Sequence, residues 1–439
     1  ILIYLKNMKI IDANKAKTHL YNFDIVIIGA GIIGTFFAFL LRNSKYKIIL
    51  IERGGKYSNF SKEKRTITKG VYHHRSQSSK GFMLGGNSSL WGGQLSELTK
   101  EDIKKNFWGL EYDKLKKLYG EVYKILKIKC DSRVRKNNKY KIGLYFTYFL
   151  KEPNLFKYFK EKLLNSKNIL IISNLIAQEL VFKGNVVKSL KCKNHKNNQI
   201  ILNAKTFVFC LGTIENIRFF LTNKLLSKKN PLKKLRLIGH FFQDHLEIVF
   251  GKLFIDSKKK FSQYFENIPS NNLVHQPKIC NILNNKDQLS VFMGFINDTD
   301  TNKLARESKK NLKEFRYNLN FRTFLNLFNL RLLKYTFLYI VHYLRFKKIK
   351  SSFNKSVKVT LTSEQASLFD SKITINNKKL KDGLNQAILD WRVSGKEFQE
   401  IKIFTTQLIS FFKKTGVGDL KVKKTLNSHS AFISNMRDT

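Results

Sequence analysis

Asp24-Ile25-Val26-Ile27-Ile28-Gly29-Ala30-Gly31-Ile32-Ile33-Gly34 decides how the first part of this chain folds. Ile25 to Ile28 is an unbroken apolar run, the pattern of a parallel strand buried on both faces. Beyond the glycines, the pairs Ile32/Ile33, Phe36/Phe37 and Leu40/Leu41 recur every four residues, which is helical spacing. After polar Asn43 and Ser44, Lys47 to Ile51 predicts a second strand that ends at Glu52. A G-x-G-x-x-G turn between strand and helix, with an acidic residue closing the next strand, predicts a dinucleotide-binding unit. Gly29 permits the tight turn, Gly31 lets the backbone approach a pyrophosphate, and Gly34 allows close helix–strand packing. The helix N-terminus adds free amides and a positive dipole end. Glu52 stands close to the ~20-residue spacing expected of the carboxylate that holds the adenosine ribose.

This turn alone leaves the choice between NAD and FAD open. A second cluster, Gly85-Gly86-Asn87-Ser88-Ser89-Leu90-Trp91-Gly92-Gly93, favours FAD, because it presents several backbone amides and two hydroxyls at close range. Further on, Lys100 to Ile128 reads as helical, with Leu115, Leu118, Val122 and Leu126 near one face. Ile169–Ile172, Leu180–Phe182, Val186–Leu190, Gln199–Leu202 and Phe207–Cys210 read as short strands, the second and third joined by a turn at Lys183-Gly184-Asn185. Residues from about 250 to 415 mix strands with basic, aromatic helices and carry no recognisable motif.

Four segments, in order, resemble the glucose–methanol–choline (GMC) oxidoreductase family, especially its bacterial and pyranose-oxidase-like branch. They are the first glycine turn with Glu52, the Gly85–Gly93 loop, Phe207-Val208-Phe209-Cys210-Leu211-Gly212-Thr213-Ile214-Glu215-Asn216-Ile217-Arg218 followed by Phe219-Phe220-Leu221, and Ile238-Gly239-His240-Phe241-Phe242-Gln243-Asp244-His245. Together they span about residues 24 to 245. The resemblance implies an α/β chain with a Rossmann-type FAD-binding domain and a discontinuous α+β substrate-binding domain. It implies FAD-binding segments at 1–100 and 161–249, a helical connection at 101–160, a substrate domain at 250–418, and the start of a return to the FAD domain at 419–439. Gly29, Gly31, Gly34 and Glu52 would hold the ADP half of FAD. Gly85, Gly86, Ser88 and Trp91 would line the pyrophosphate and flavin, Gly212 would close over the dinucleotide, and Ala177 would contact adenine. Some relatives attach FAD through a histidine just before the position of Trp91; Leu90 stands there, which predicts non-covalent FAD.

The implied reaction removes a hydride from the CH–OH group of an alcohol or sugar, with the electron acceptor left open. A histidine acts as base, its neutral imidazole titrating close to working pH. His429, in Ser428-His429-Ser430, is the candidate. Phe432, Ile433 and Asn435 replace the family's Gly, Thr and Arg, and only Met436 agrees. His429 therefore reads either as that base or as a surface histidine in a C-terminal tail. Family members also run several dozen residues further than Thr439, and this chain opens with Ile, so it reads as a fragment or a truncated product. A degenerate flavoprotein and a different, NAD-using Rossmann enzyme are the competing readings that keep the fold.

The formal charge of +49, from 81 Lys and Arg against 32 Asp and Glu, raises a third class, a basic protein binding nucleic acid or an anionic membrane surface. The charge is spread along the chain, and abundant Lys, Asn, Ile and Phe with only 4 Pro and 3 Trp suit AT-rich coding. Charge explains none of the glycine spacing, so no specific nucleic-acid partner is expected. Leu319 to Lys348 mixes aromatic and basic residues and reads as a helix packed into the substrate domain or as a peripheral membrane contact. Cys130, Cys192, Cys210 and Cys280 form no CxxC pair, which predicts neither a metal site nor a disulfide framework and suits a cytoplasmic protein. His73-His74-Arg75 reads as an exposed loop or as a contact to flavin or an anionic substrate. His245 is expected to play a structural hydrogen-bonding role, and His240 and His275 have no partner visible in sequence.

Overall fold

The computed structural model describes residues 10–15, 20–55, 63–71, 73, 81–106, 109–128, 135–137, 140–226, 230–265, 268–269, 273–283, 287–296, 341 and 356–423. The chain is mixed α/β and divides into two compact units. The first comprises residues 1–93, 152–243 and 367–393, and the second 94–151, 244–366 and 394–439.

At the centre of the first unit lies the strand Leu20–Ile28. Its residues Ile25 to Ile28 pair in parallel with Ile48–Ile51 on one side, and Gln199–Phe209 pairs in parallel on the other. Ile169–Ser173 and Ile10–Asp12 extend the parallel sheet, while Val186–Asn194 and Leu175–Lys183 complete it as an antiparallel pair. Val26, Ile27, Ile28 and the whole of Ile48 to Ile51 are essentially inaccessible to solvent, as the continuous apolar runs require. Each such side chain contributes roughly 2 kcal/mol of burial. The helix Ile32–Leu41 follows the glycine turn and packs on the helix Leu155–Leu164, with Phe39 and Phe159 stacked at 4.1 Å between ring centroids.

A small sheet of Lys372–Lys379, Asn385–Trp391 and Thr66–Gly70 also belongs to this unit. Its turn is fastened by Asp382, a buried carboxylate that accepts from three arginines. The donors are Arg218 (Nη2 to Oδ1, 2.8 Å), Arg65 (Nη2 to Oδ2, 2.6 Å) and Arg53 (Nη1 to Oδ2, 2.8 Å). Glu215 accepts from Arg65 and Arg218 and balances a further charge.

The second unit is built on a nine-stranded sheet. Its main path runs Gly418–Val422, Leu246–Ile255, Ser356–Ser363, Val291–Ile296, Leu273–Asn281, Ile142–Leu150 and Gln94–Leu95, with every neighbour antiparallel. Strands Arg135–Asn137 and Ile268–Pro269 pair beside this path. On one face, the helix Lys258–Phe265 sets Phe265 against Phe295 and against Phe412 of the helix Lys396–Thr415.

Several boundaries differ from those expected. Residues 367–393 join the first unit, because the Asp382 cluster and strand pairing with Thr66–Gly70 tie them there. The stretch 101–160 is not purely helical: Ile142–Leu150 is an inner strand of the second unit's sheet. Gly418–Val422 pairs with Leu246–Ile255 inside the second unit instead of opening a return to the first. Gln199–Leu202 and Phe207–Cys210 form one strand, Gln199–Phe209, since Asn203, Ala204 and Thr206 between them keep the ladder to Leu20–Ile28. The turn at Lys183 to Asn185 does join antiparallel strands. The stretch Leu319 to Lys348, apart from residue 341, lies outside the described residues. Among the described residues, no helix is long and apolar enough to cross a membrane.

Candidate functional site

The glycine turn sits at the C-terminal end of the central parallel strands, the position at which open α/β sheets take ligands. Gly29 has φ of 101°, a conformation that favours glycine, and its amide donates to the Ile51 carbonyl at 2.8 Å. A Cβ at Gly34 would lie 1.9 Å from the Gly29 carbonyl oxygen, so helix and strand meet there only because no side chain intervenes. Gly31 differs: a Cβ there would meet nothing within 4 Å. It caps the helix Ile32–Leu41, whose first-turn amides have no carbonyl of their own helix to bond.

Glu52 is buried beside this turn. Its Oε2 accepts from the Ala30 amide at 3.0 Å and its Oε1 from the Gly54 amide at 2.9 Å. Burial pushes its carboxyl up to about 7, against the opposing pull of those two amides and of the Arg53 charge. The group therefore ties the turn to the strand end and sits poised between its two protonation states at neutral pH.

Tertiary folding brings the second and third glycine segments to the first. The Gly85 amide donates to the Ala30 carbonyl at 2.8 Å, and a Cβ at Gly86 would lie 2.9 Å from the Gly31 Cα. On another side, a Cβ at Gly29 would lie 2.6 Å from the Cys210 carbonyl oxygen. Gly212, two residues beyond, has φ of 79° and open space beside its Cα. Thus Gly29, Gly31, Gly34, Glu52, Gly85, Gly86 and Gly212 form one neighbourhood.

Other expected residues are placed differently. The Ser88 hydroxyl is fully buried, donating to the Gly85 carbonyl at 2.5 Å and accepting from the Leu155 amide at 3.2 Å, so it shapes the loop from within. Trp91 anchors the loop by donating from Nε1 to the Pro153 carbonyl at 2.9 Å. Leu90 is exposed. The Ala177 side chain lies in the sheet core, although Leu175, where that strand begins, donates its amide to the Glu52 carbonyl at 2.9 Å.

His73 is not an exposed loop residue. It is buried, its ring 5.0 Å from that of Trp391 and 5.9 Å from that of Phe242. His240 stacks on Phe369 and its Nδ1 lies 3.1 Å from the Phe369 carbonyl oxygen. His245 pairs its Nδ1 with Asp244 at 3.0 Å. His74, Arg75 and the candidate base His429 lie outside the described residues, as does the side chain of His275.

Two features of this neighbourhood escaped the sequence reading. Asn154 caps the helix Leu155–Leu164 by accepting from the Lys157 amide at 3.0 Å, and donates to the Leu84 carbonyl and to Ser89 Oγ. It occupies the place a side chain on Gly85 would take. Its signal was legible: Asn directly before an apolar helical pattern is a helix start. The second feature is the arginine group around Asp382, with Arg53 immediately after Glu52 and its guanidinium over the Phe82 ring at 4.3 Å. No local pattern signals that convergence.

A family model of ketopantoate reductase PanE/ApbA matches residues 25–82, which cover the strand–glycine–helix–strand unit. No curated protein matches the chain by sequence. Among solved structures, pyridoxine 4-oxidase from Mesorbium loti is similar at 13% identity, with a TM-score of 0.55 over 94% of this chain and 86% of that one. A formate oxidase variant of Aspergillus oryzae RIB40, studied for its FAD modification, is similar at 13% identity, with a TM-score of 0.54 over 96% of this chain and 87% of that one. At such identities the likeness is one of fold: a mixed α/β chain with a parallel sheet, shared with these oxidases.

Proposed function

We propose that this chain is an FAD-dependent oxidoreductase of the GMC type, removing a hydride from the CH–OH group of an alcohol or sugar. The observation that carries the reading is the meeting of three glycine segments around an open backbone at Gly31, beside the buried carboxylate of Glu52. The fold shared with two oxidases, one of them studied for its FAD modification, supports it. The short ketopantoate reductase match covers only the first turn and does not choose among dinucleotides.

The residues present fit the ADP half of FAD. Gly31 and the first-turn amides leave room and donors for a pyrophosphate, and Glu52 offers a carboxylate for ribose hydroxyls. The exposed Leu90 carries no group for a covalent bond, in keeping with non-covalent FAD. When bound, FAD supplies the acceptor for the hydride. His429 is the proposed base, its neutral imidazole taking the hydroxyl proton of the substrate. The electron acceptor is a separate species, and neither a nucleic-acid nor a metal partner belongs to this reading. The absorption spectrum of purified protein, before and after acid denaturation, tests it. Flavin bands, with the flavin released to the supernatant, are expected. A protein that remains colourless after addition of FAD overturns the assignment.

Glu52 gives the binding a pH dependence of known sign. Its carboxyl is raised to about 7, so it is largely neutral at pH 6 and largely ionised at pH 8. Only the ionised form accepts freely from both ribose and backbone donors, so FAD affinity rises about tenfold across that interval. Glu52→Gln flattens the profile. Titrating apoprotein with FAD at several pH values checks this, and a flat wild-type profile removes Glu52 from cofactor binding.

A further inference from the structure

In the first unit, the helix Thr213–Leu226 starts at the residue after Gly212 and ends about 18 Å further along its axis in a surface of a different kind. Leu225 and Leu226 close the helix, and the chain turns back on it through the short helical turn Pro231–Lys234. Asn230 Nδ2 donates to the Asn223 carbonyl, and Lys224 Nζ donates to the Leu235 carbonyl at 2.9 Å. A further turn follows, closed by the His240 amide donating to the Leu237 carbonyl at 3.1 Å. These bonds gather Leu225, Leu226, Leu235 and Leu237 into one neighbourhood.

All four leucines are exposed, Leu225 to 64% and Leu237 to 62%. The other exposed leucines among the described residues, Leu40, Leu90 and Leu118, are scattered along the chain. A single exposed leucine is ordinary, whereas a cluster of them on a folded surface marks a contact. Lys233, Lys234 and Arg236 alternate with these leucines and are exposed, and no hydrogen bond or ion pair joins their side chains to a described residue. No Asp or Glu occurs from Asn216 to Gln243. Asp370, next to the Phe369 ring on which His240 stacks, is paired with Lys372 at 3.8 Å.

We propose that this surface docks on an anionic lipid bilayer, with the leucines entering the boundary between headgroups and acyl chains and Lys233, Lys234 and Arg236 meeting lipid phosphates. Charge and apolarity together decide the occupant. Nucleic acid would satisfy the cations and leave the leucines in water. A second copy of this chain, docked through the same face, would set like charges against each other. The centre of a protein interface is rich in aromatic residues and poor in lysine, the reverse of this patch. An anionic bilayer surface takes apolar side chains and cations at one contact.

Flotation of the purified protein with vesicles measures the contact. Binding to vesicles of phosphatidylcholine and phosphatidylglycerol is expected to be about tenfold tighter than to phosphatidylcholine alone. The net charge of +49 by itself favours anionic vesicles, so the leucines carry the deciding readout. Leu235→Gln combined with Leu237→Gln keeps the charge and is expected to weaken binding about tenfold. Leu118→Gln, at an exposed leucine of the second unit, is expected to bind as wild type does. Separately, the emission of Leu237→Trp is expected to shift to the blue on anionic vesicles, as an indole entering the bilayer does, and that of Leu118→Trp is not. All these positions are exposed, so melting temperatures are expected to stay within about 2 °C of wild type. Equal binding by wild type and the double Gln variant, or no blue shift in Leu237→Trp, overturns the proposal. So does an absence of vesicle binding, whether the protein then takes an RNA homopolymer or pairs with a second copy instead.

Discussion

Gly31→Phe is expected to fold as the wild type does and to bind FAD about 100-fold more weakly, a loss of about 3 kcal/mol. Gly31 has φ of −75°, which any residue adopts, and a Cβ there would meet nothing within 4 Å. The added ring therefore enters the space assigned to the pyrophosphate instead of the protein interior. The apoprotein melting temperature is expected to stay within about 2 °C of wild type. Gly34→Ala is the contrast, because its Cβ would collide with the Gly29 carbonyl and disrupt the turn itself. A yellow Gly31→Phe protein with unaltered FAD affinity would remove this turn from cofactor binding. Loss of folding in Gly31→Phe would show instead that the open side of Gly31 belongs to the protein.

Asp382→Ala is expected to lower the stability of the first unit by about 4 kcal/mol, since breaking a buried ion pair leaves uncompensated charge. Burial alone would raise this carboxyl. Hydrogen bonds from Arg218 and the charges of Arg65, Arg218 and Arg53 outweigh that and hold it well below the usual carboxylate range. Because the folded group is the more acidic one, its contribution is fully present above the unfolded carboxylate value of 3.8. It is lost as pH falls through the lowered folded value. Denaturant unfolding at neutral pH, compared with acid unfolding, measures both effects. A change below about 1 kcal/mol at neutral pH would mean that the three guanidiniums are adequately solvated without Asp382.

The parts of the candidate site that were legible in sequence are those whose physics is local. A glycine that must take φ of 101°, a strand with apolar residues on both faces and a helix with a four-residue repeat each announce themselves within a few residues. Ser88 shows the limit of such reading. Its hydroxyl lies in a glycine-rich loop, where sequence suggests a ligand contact, yet the helix Leu155–Leu164 arrives to bond it from within. His73 fails for the same reason: its flanking residues suggest a surface loop, whereas Trp391 and Phe242 enclose it.

By itself, then, the sequence determined the strand–glycine–helix–strand unit, the candidate carboxylate at Glu52 and the strand ends that flank the turn. Only the tertiary structure decided that Gly85 and Gly86 close on Gly31, and that residues 367–393 belong to the first unit. Backbone sterics and side-chain periodicity act over one or two turns of chain and leave a pattern there. The register of a ladder, or the meeting of Asp382 with arginines at 53, 65 and 218, depends on packing summed over the whole unit and leaves no local pattern.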